Sequence, residues 1–159
     1  MKKLTILSLF ITIQFGLIAQ ASVEYSLVRP IGGGALQLME FDLAASTQNS
    51  IRTYTNAEIN DYNPEVTCFD PDNNRFITLI WDGSVDRISA IDLTTGNIAQ
   101  SYLPSGVEVF SLEYHNGKVY SLVRPNGGGA LQLMEFDLAA GTQNSIRTYT
   151  NAEINDYNP

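Results

Sequence analysis

The chain has 159 residues, with 9 Lys+Arg against 17 Asp+Glu for a formal net charge of −8, and it holds one Cys, one His and one Trp. A single cysteine allows no intrachain disulfide, and a zinc site rich in His and Cys cannot be assembled. The charge also has the wrong sign for a nucleic-acid surface.

Lys2 and Lys3 precede an apolar run over residues 4–19 that closes on Ala19-Gln20-Ala21, the pattern of a secretory signal peptide over residues 1–21. The run is shorter than the roughly 20 residues that a helix needs to cross a bilayer, so no membrane span is expected after cleavage. Cleavage after Ala21 leaves seven Lys+Arg against 17 Asp+Glu, a net charge of −10, which disfavours nucleic acid and acidic lipid as partners. The expected location is secreted, periplasmic or at the cell surface, of the Gram-negative bacterial type. The lone Cys68 fits an exported protein that does not rely on disulfides.

From residue 23 onward the strand pattern is organised by repeats. Residues 25–64 recur as 120–159, 95 residues further on, and only Ile31 against Asn126 and Ser46 against Gly141 differ. Inside that unit, 74–79 aligns with 117–122 at an offset of 43. The underlying module is therefore about 45–50 residues, the length of a four-stranded propeller blade. In chain order, 23–55 supplies the second to fourth strands of a blade that lacks its first. Residues 65–103 supply strands at 66–70, 76–81, 85–93 and 98–103. Residues 107–150 supply strands at 107–114, 118–123, 130–138 and 145–150, with Asn116-Gly117 as a hairpin turn. The strands are rich in Val, Ile, Tyr and Phe, and helix signals are absent. Gln132, Met134, Phe136 and Leu138 alternate with Leu131, Leu133 and Glu135. Both faces thus carry bulky apolar groups, as a sheet stacked between two others requires. A two-layer sandwich does not account for a unit that repeats in register. The fold class expected is an all-β partial β-propeller of about three four-stranded antiparallel blades.

The hairpin Asn116-Gly117-Lys118-Val119-Tyr120 and the turn Asp92-Leu93-Thr94-Thr95-Gly96 resemble those of secreted bacterial β-propellers of the YVTN, WD-repeat-like and quinoprotein-like kind. The resemblance covers residues 23–150 and implies the fold, with little specificity for function. The docking Trp that follows the Asp-x-x-Thr-Gly turn of quinoprotein blades is replaced by Asn97-Ile98-Ala99-Gln100, and no sialidase-type aspartate box occurs. No cofactor is therefore expected. The 11 expected strands fall short of the four blades that closure needs. The chain is expected to be a piece of a longer propeller, or else to self-associate through open blade faces.

Alternating strand direction places the loops joining second to third strands at the same end as the blade-to-blade segments. The residues expected to contact a ligand there are Arg29, Arg124, Asn126, Asp82, Glu58, Asp61, Glu153, Asp156 and Tyr157, for a polar ligand such as a sugar or peptide. Asn and Asp in such segments also serve plain turn geometry. The pairs Glu58/Asp61 and Glu153/Asp156 leave open a propeller glycoside hydrolase or lyase. No catalytic residue or metal ligand is assigned. Gly127-Gly128-Gly129 lacks phosphate-loop spacing. The segment 70–74 fails as a calcium loop because Arg75 and Trp81 stand where Gly and Glu belong. Cys68 and His115 have nothing to bring them together. The function expected is an exported, non-enzymatic module that binds a protein or glycan, with a passive structural array as a further alternative.

Overall fold

The structure, a computed structural model, describes residues 23–150 and Glu153. Residues 1–21, expected to be a signal peptide, and Asn151, Asn155, Asp156 and Tyr157 lie outside the described residues. The described chain is all-β, without helices. Twelve strands, β1 (Val23–Val28), β2 (Gln37–Asp42), β3 (Thr47–Thr53), β4 (Asp61–Asp70), β5 (Arg75–Trp81), β6 (Asp86–Asp92), β7 (Ile98–Tyr102), β8 (Val107–Val109), β9 (Glu113–His115), β10 (Lys118–Pro125), β11 (Gln132–Asp137) and β12 (Thr142–Thr148), form three antiparallel sheets. The first sheet is β1-β2-β3 and the second is β4-β5-β6-β7. The third is β8-β10-β11-β12, with β9 also paired to β10.

An aspartate closes the outer hairpin of every sheet. Asp42, Asp92 and Asp137 each accept hydrogen bonds through Oδ1 from the backbone N–H groups two and three residues on. This Asx geometry fixes the turn locally, which explains why the same Asp recurs. The inner strands are less regular than the sequence suggests. The stretch 107–114, expected as one strand, is two, β8 and β9. Between them Leu122 donates its N–H to the Ser111 hydroxyl instead of to a carbonyl, while Phe110 N–H donates to Leu122 C=O. In β4 the break falls at Pro64, which has no N–H to give to a ladder. Asn63 and Thr67, four residues apart, face the adjacent Leu79 and Thr78. Register also corrects the internal alignment. Cys68 faces Ile77, and Glu113 faces Tyr120, the residue equivalent to Ile77. Cys68 therefore matches Glu113 and not Ser111, the residue that the offset of 43 pairs with it. The hairpin beyond it has four loop residues in the second sheet and two in the third.

The second sheet is buried on both faces. Ile77, Ile88 and Ala90 pack with Val109, Val119, Val123, Met134 and Phe136 of the third sheet. From the opposite face, Ile80 and Ile91, with Leu93 beyond the strand, pack with Leu27, Leu36, Leu38 and Tyr54 of the first. Polar ties cross both seams: Tyr62 OH donates to Leu27 C=O at 2.7 Å, and Tyr102 OH donates to Gln143 Oε1 at 3.0 Å. The repeated sequence thus serves two opposite purposes. In the first sheet Leu27 and Leu38 are buried while Val28, Met39 and Phe41 are half-buried. In the third sheet the equivalents reverse: Val123, Met134 and Phe136 are buried, and Leu122 and Leu133 are half-buried.

Gly96, in the β6–β7 turn, marks how closely the first two sheets approach. Its φ is +72°, a Cβ there would lie 2.5 Å from the Arg52 Cβ, and its carbonyl accepts a hydrogen bond from the buried Tyr54 hydroxyl at 2.7 Å. Gly96→Ala is expected to cost at least about 1–3 kcal/mol, because positive φ strain and the clash add. Urea denaturation of the purified variant measures it.

Candidate functional site

The end of the stack that carries the β5–β6 and β10–β11 loops and the intersheet segments holds a cleft of about 630 Å³ between β4 and β8. Asp61, Glu65, Asp86 and Glu108 put carboxyl groups on its lining, beside Tyr62, Trp81 and Phe110. Trp81, at the end of β5, is 40 % exposed. A second hollow of about 480 Å³ shares Asp86, Pro104, Val107 and Glu108 and continues to Asn126 and Gly128. The carboxyl groups are dispersed: among the described residues no group of three or more His, Cys, Asp or Glu could hold a metal ion. No helix among them is long and apolar enough to cross a membrane.

Of the residues singled out from the sequence, Asp61 lines the cleft and Asn126 the adjoining hollow. Asp61 belongs to β4 and not to a loop, and Arg124 belongs to β10, where its guanidinium lies 5.3 Å from the Phe110 ring centroid. Arg29 ties the β1–β2 loop to the intersheet segment, donating to Gly34 C=O at 2.8 Å and to Asn60 C=O at 2.6 Å, with Asp61 3.6 Å away. Asp82 accepts from Ser84 and Val85 N–H and from Arg87 Nε within its own turn.

Glu58 is held by Thr55, whose N–H and hydroxyl both donate to Oε2 at 2.9 Å, and by Arg52. Glu153 repeats the arrangement with Thr150 and Arg147. The Thr55 and Thr150 hydrogen bonds, more than the arginine charges, hold both carboxyls below their ordinary range. A glycosidase general acid needs the opposite shift. Asp82 is lowered by Arg87 and its turn amides, and Asp137 chiefly by Lys118. A carboxyl lowered on folding adds stability above its unfolded pKa and loses it as pH falls through the folded value. The urea midpoint is therefore expected to stay level from neutral pH down to about pH 5 and to drop below about pH 4.

Sequence reasoning did not single out Trp81, Asp86, Glu65 or Glu108. The available signal was Pro64, which breaks the β4 ladder and opens that edge. Cys68 stands apart from the cleft chemistry. Burial first, then the charges of Glu113 and Asp70, pushes its thiol up to about 12. Labelling by a thiol reagent at pH 8 is expected to be at least about 100-fold slower in the native protein than in denaturant.

Compared with known proteins, the chain matches no family model, no curated protein and no solved structure.

Proposed function

We propose that the chain is a run of propeller-type blades from an exported protein, and that its loop-end cleft binds a protein or glycan without performing chemistry. The blade reading is supported by the second sheet, which is apolar and buried on both faces. One observation carries the binding reading. Trp81 is a large, half-exposed aromatic on a strand end, set in an open cleft with Asp61 and Asp86 beside it. An indole face stacks on a sugar ring or on a cationic side chain, while flanking carboxylates accept hydrogen bonds from hydroxyls or guanidinium groups. The acidic net charge of the chain suits such donors.

The test is a glycan and peptide array followed by affinity measurement on any hit. Trp81→Ala is expected to weaken binding at least about tenfold with the fold intact. No saturable binding on either array would leave the chain a passive repeat array. Binding that survives Trp81→Ala unchanged would overturn the cleft assignment.

A further inference from the structure

The two seams between sheets end differently on the side where the intersheet segments run. Between the first and second sheets, the segment 54–60 fills the seam with Tyr54 and Ile59, both fully buried. Between the second and third, the segment 103–106 is shorter and contains no buried residue, Leu103 being exposed. The cleft is the space that this leaves between β4 and β8.

The repeat shows what the second seam lacks. Trp81 precedes Arg124 by the 43-residue offset and Arg29 precedes it by 95, so Arg29, Trp81 and Arg124 hold the same position in the three sheets. Asp61 faces Trp81, and Glu108 faces Arg124, so Asp61 and Glu108 are equivalent as well. In the first seam the Arg29 guanidinium reaches across to the second sheet, donating to Asn60 C=O at 2.6 Å and lying 3.6 Å from Asp61. In the second seam an indole stands in the place of Arg29, and Glu108 receives no such cation. None of the ion pairs among the described residues reaches Glu65, Asp86 or Glu108. Arg124, opposite Glu108, has its guanidinium over the Phe110 ring instead.

The surroundings of Trp81 suit the missing group. Asp61 and Asp86 face it in register from the strands on either side. Directly opposed residues of neighbouring strands project to the same side of a sheet, so the indole has a carboxylate on each flank. A guanidinium stacks flat on an indole and forks its N–H donors to carboxylates, whereas an ammonium offers a point charge without a plane. A neutral sugar would leave the carboxylate charges uncompensated.

We propose that the cleft takes an arginine side chain of a protein partner, its guanidinium resting on Trp81 and meeting Glu108 as Arg29 meets Asp61. This rests on the cleft reading given above and narrows it to one class of ligand.

The test uses the full-length protein and an array of short peptides in which every arginine-bearing sequence is paired with the same sequence carrying citrulline, which keeps the shape of the side chain and loses its charge. Arginine peptides are expected to bind saturably, and their citrulline counterparts at least about tenfold more weakly. Glu108→Gln, an exposed change, is expected to weaken the arginine peptides at least about fivefold with an unchanged circular dichroism spectrum. Trp81 is the one tryptophan of the chain, so its fluorescence reports the cleft, and titration with the tightest arginine peptide is expected to shift its emission. The absence of any arginine-dependent binder, equal affinity for the citrulline peptides, or full affinity in Glu108→Gln would overturn the proposal. A glycan that shifts the Trp81 emission where no arginine peptide binds would overturn it and leave the cleft reading standing. An arginine peptide that binds without moving that emission would overturn both.

Discussion

Phe136→Ala is expected to destabilise the protein by about 3–5 kcal/mol, while Phe41→Ala, the same change in the same local sequence, is expected to cost about 1 kcal/mol or less. Phe136 is 0 % exposed. It packs against Ile77, Ile88 and Tyr102, whose ring centroid lies 5.9 Å away. Removing the ring takes away its transfer free energy and leaves a cavity that the two sheets cannot close without moving apart. Among the described residues no second sheet packs on the half-buried Phe41, so its ring can be truncated without leaving a cavity between two sheets. Chemical denaturation of both variants, at dilutions where one chain is the dominant species, gives the comparison. Because the strands that carry Phe41 and Phe136 are identical in sequence and the turns after them differ only at Ser46 and Gly141, the difference between the two costs reports tertiary burial.

The second large effect concerns the middle of the stack. Ile88 and Ile91 are both 0 % exposed, yet they sit on opposite faces of β6 and belong to different cores. Ile88→Ala and Ile91→Ala are each expected to cost about 2–5 kcal/mol. The costs are expected to add to within about 0.5 kcal/mol, because the two sites share no packing partners. A small domain holds only about 5–15 kcal/mol in all, so the double variant is expected to be largely unfolded at 25 °C. A sheet packed on one face only would make one of the two changes cheap. Thermal and urea melts of the single variants separate these cases.

Much of this architecture was legible in the residues. The turn aspartates, the Asn-Gly hairpin and the alternation along 130–138 locate β5, β6, β7, β10 and β11 closely, since each depends on local backbone chemistry or on a period-2 pattern. Apolar residues on both sides of 131–138 announced a sheet covered twice; among the described residues it is the second sheet that is so covered, while the third contributes to one core only. What the residues could not announce is which face of a duplicated sheet is covered. Leu38 and Leu133 have the same neighbours in sequence and opposite surroundings in space, so burial there is set by the order of the sheets along the chain. The inner strands were misread for a related reason. The Ser111 hydroxyl substitutes for a carbonyl, and Pro64 withholds a donor, and both are irregularities that strand periodicity does not register. Among the candidate site residues, Glu58, Glu153 and Asp82 looked available because their partners are side chains and turn amides a few residues away. The cleft depends on Trp81 and Asp86 meeting Glu108 across two sheets, a juxtaposition that only the packing creates.

Cysteine accessibility tests the central claim, opposite use of one sequence, most directly. In a Cys68→Ser background, single cysteines are placed at positions 38, 133, 41 and 136, and their labelling rates are measured on dilute protein. Positions 38 and 136 are expected to be strongly protected, and the half-buried positions 133 and 41 to react at least about tenfold faster than those two. Equal protection at 38 and 133, or at 41 and 136, would contradict the stacking described here.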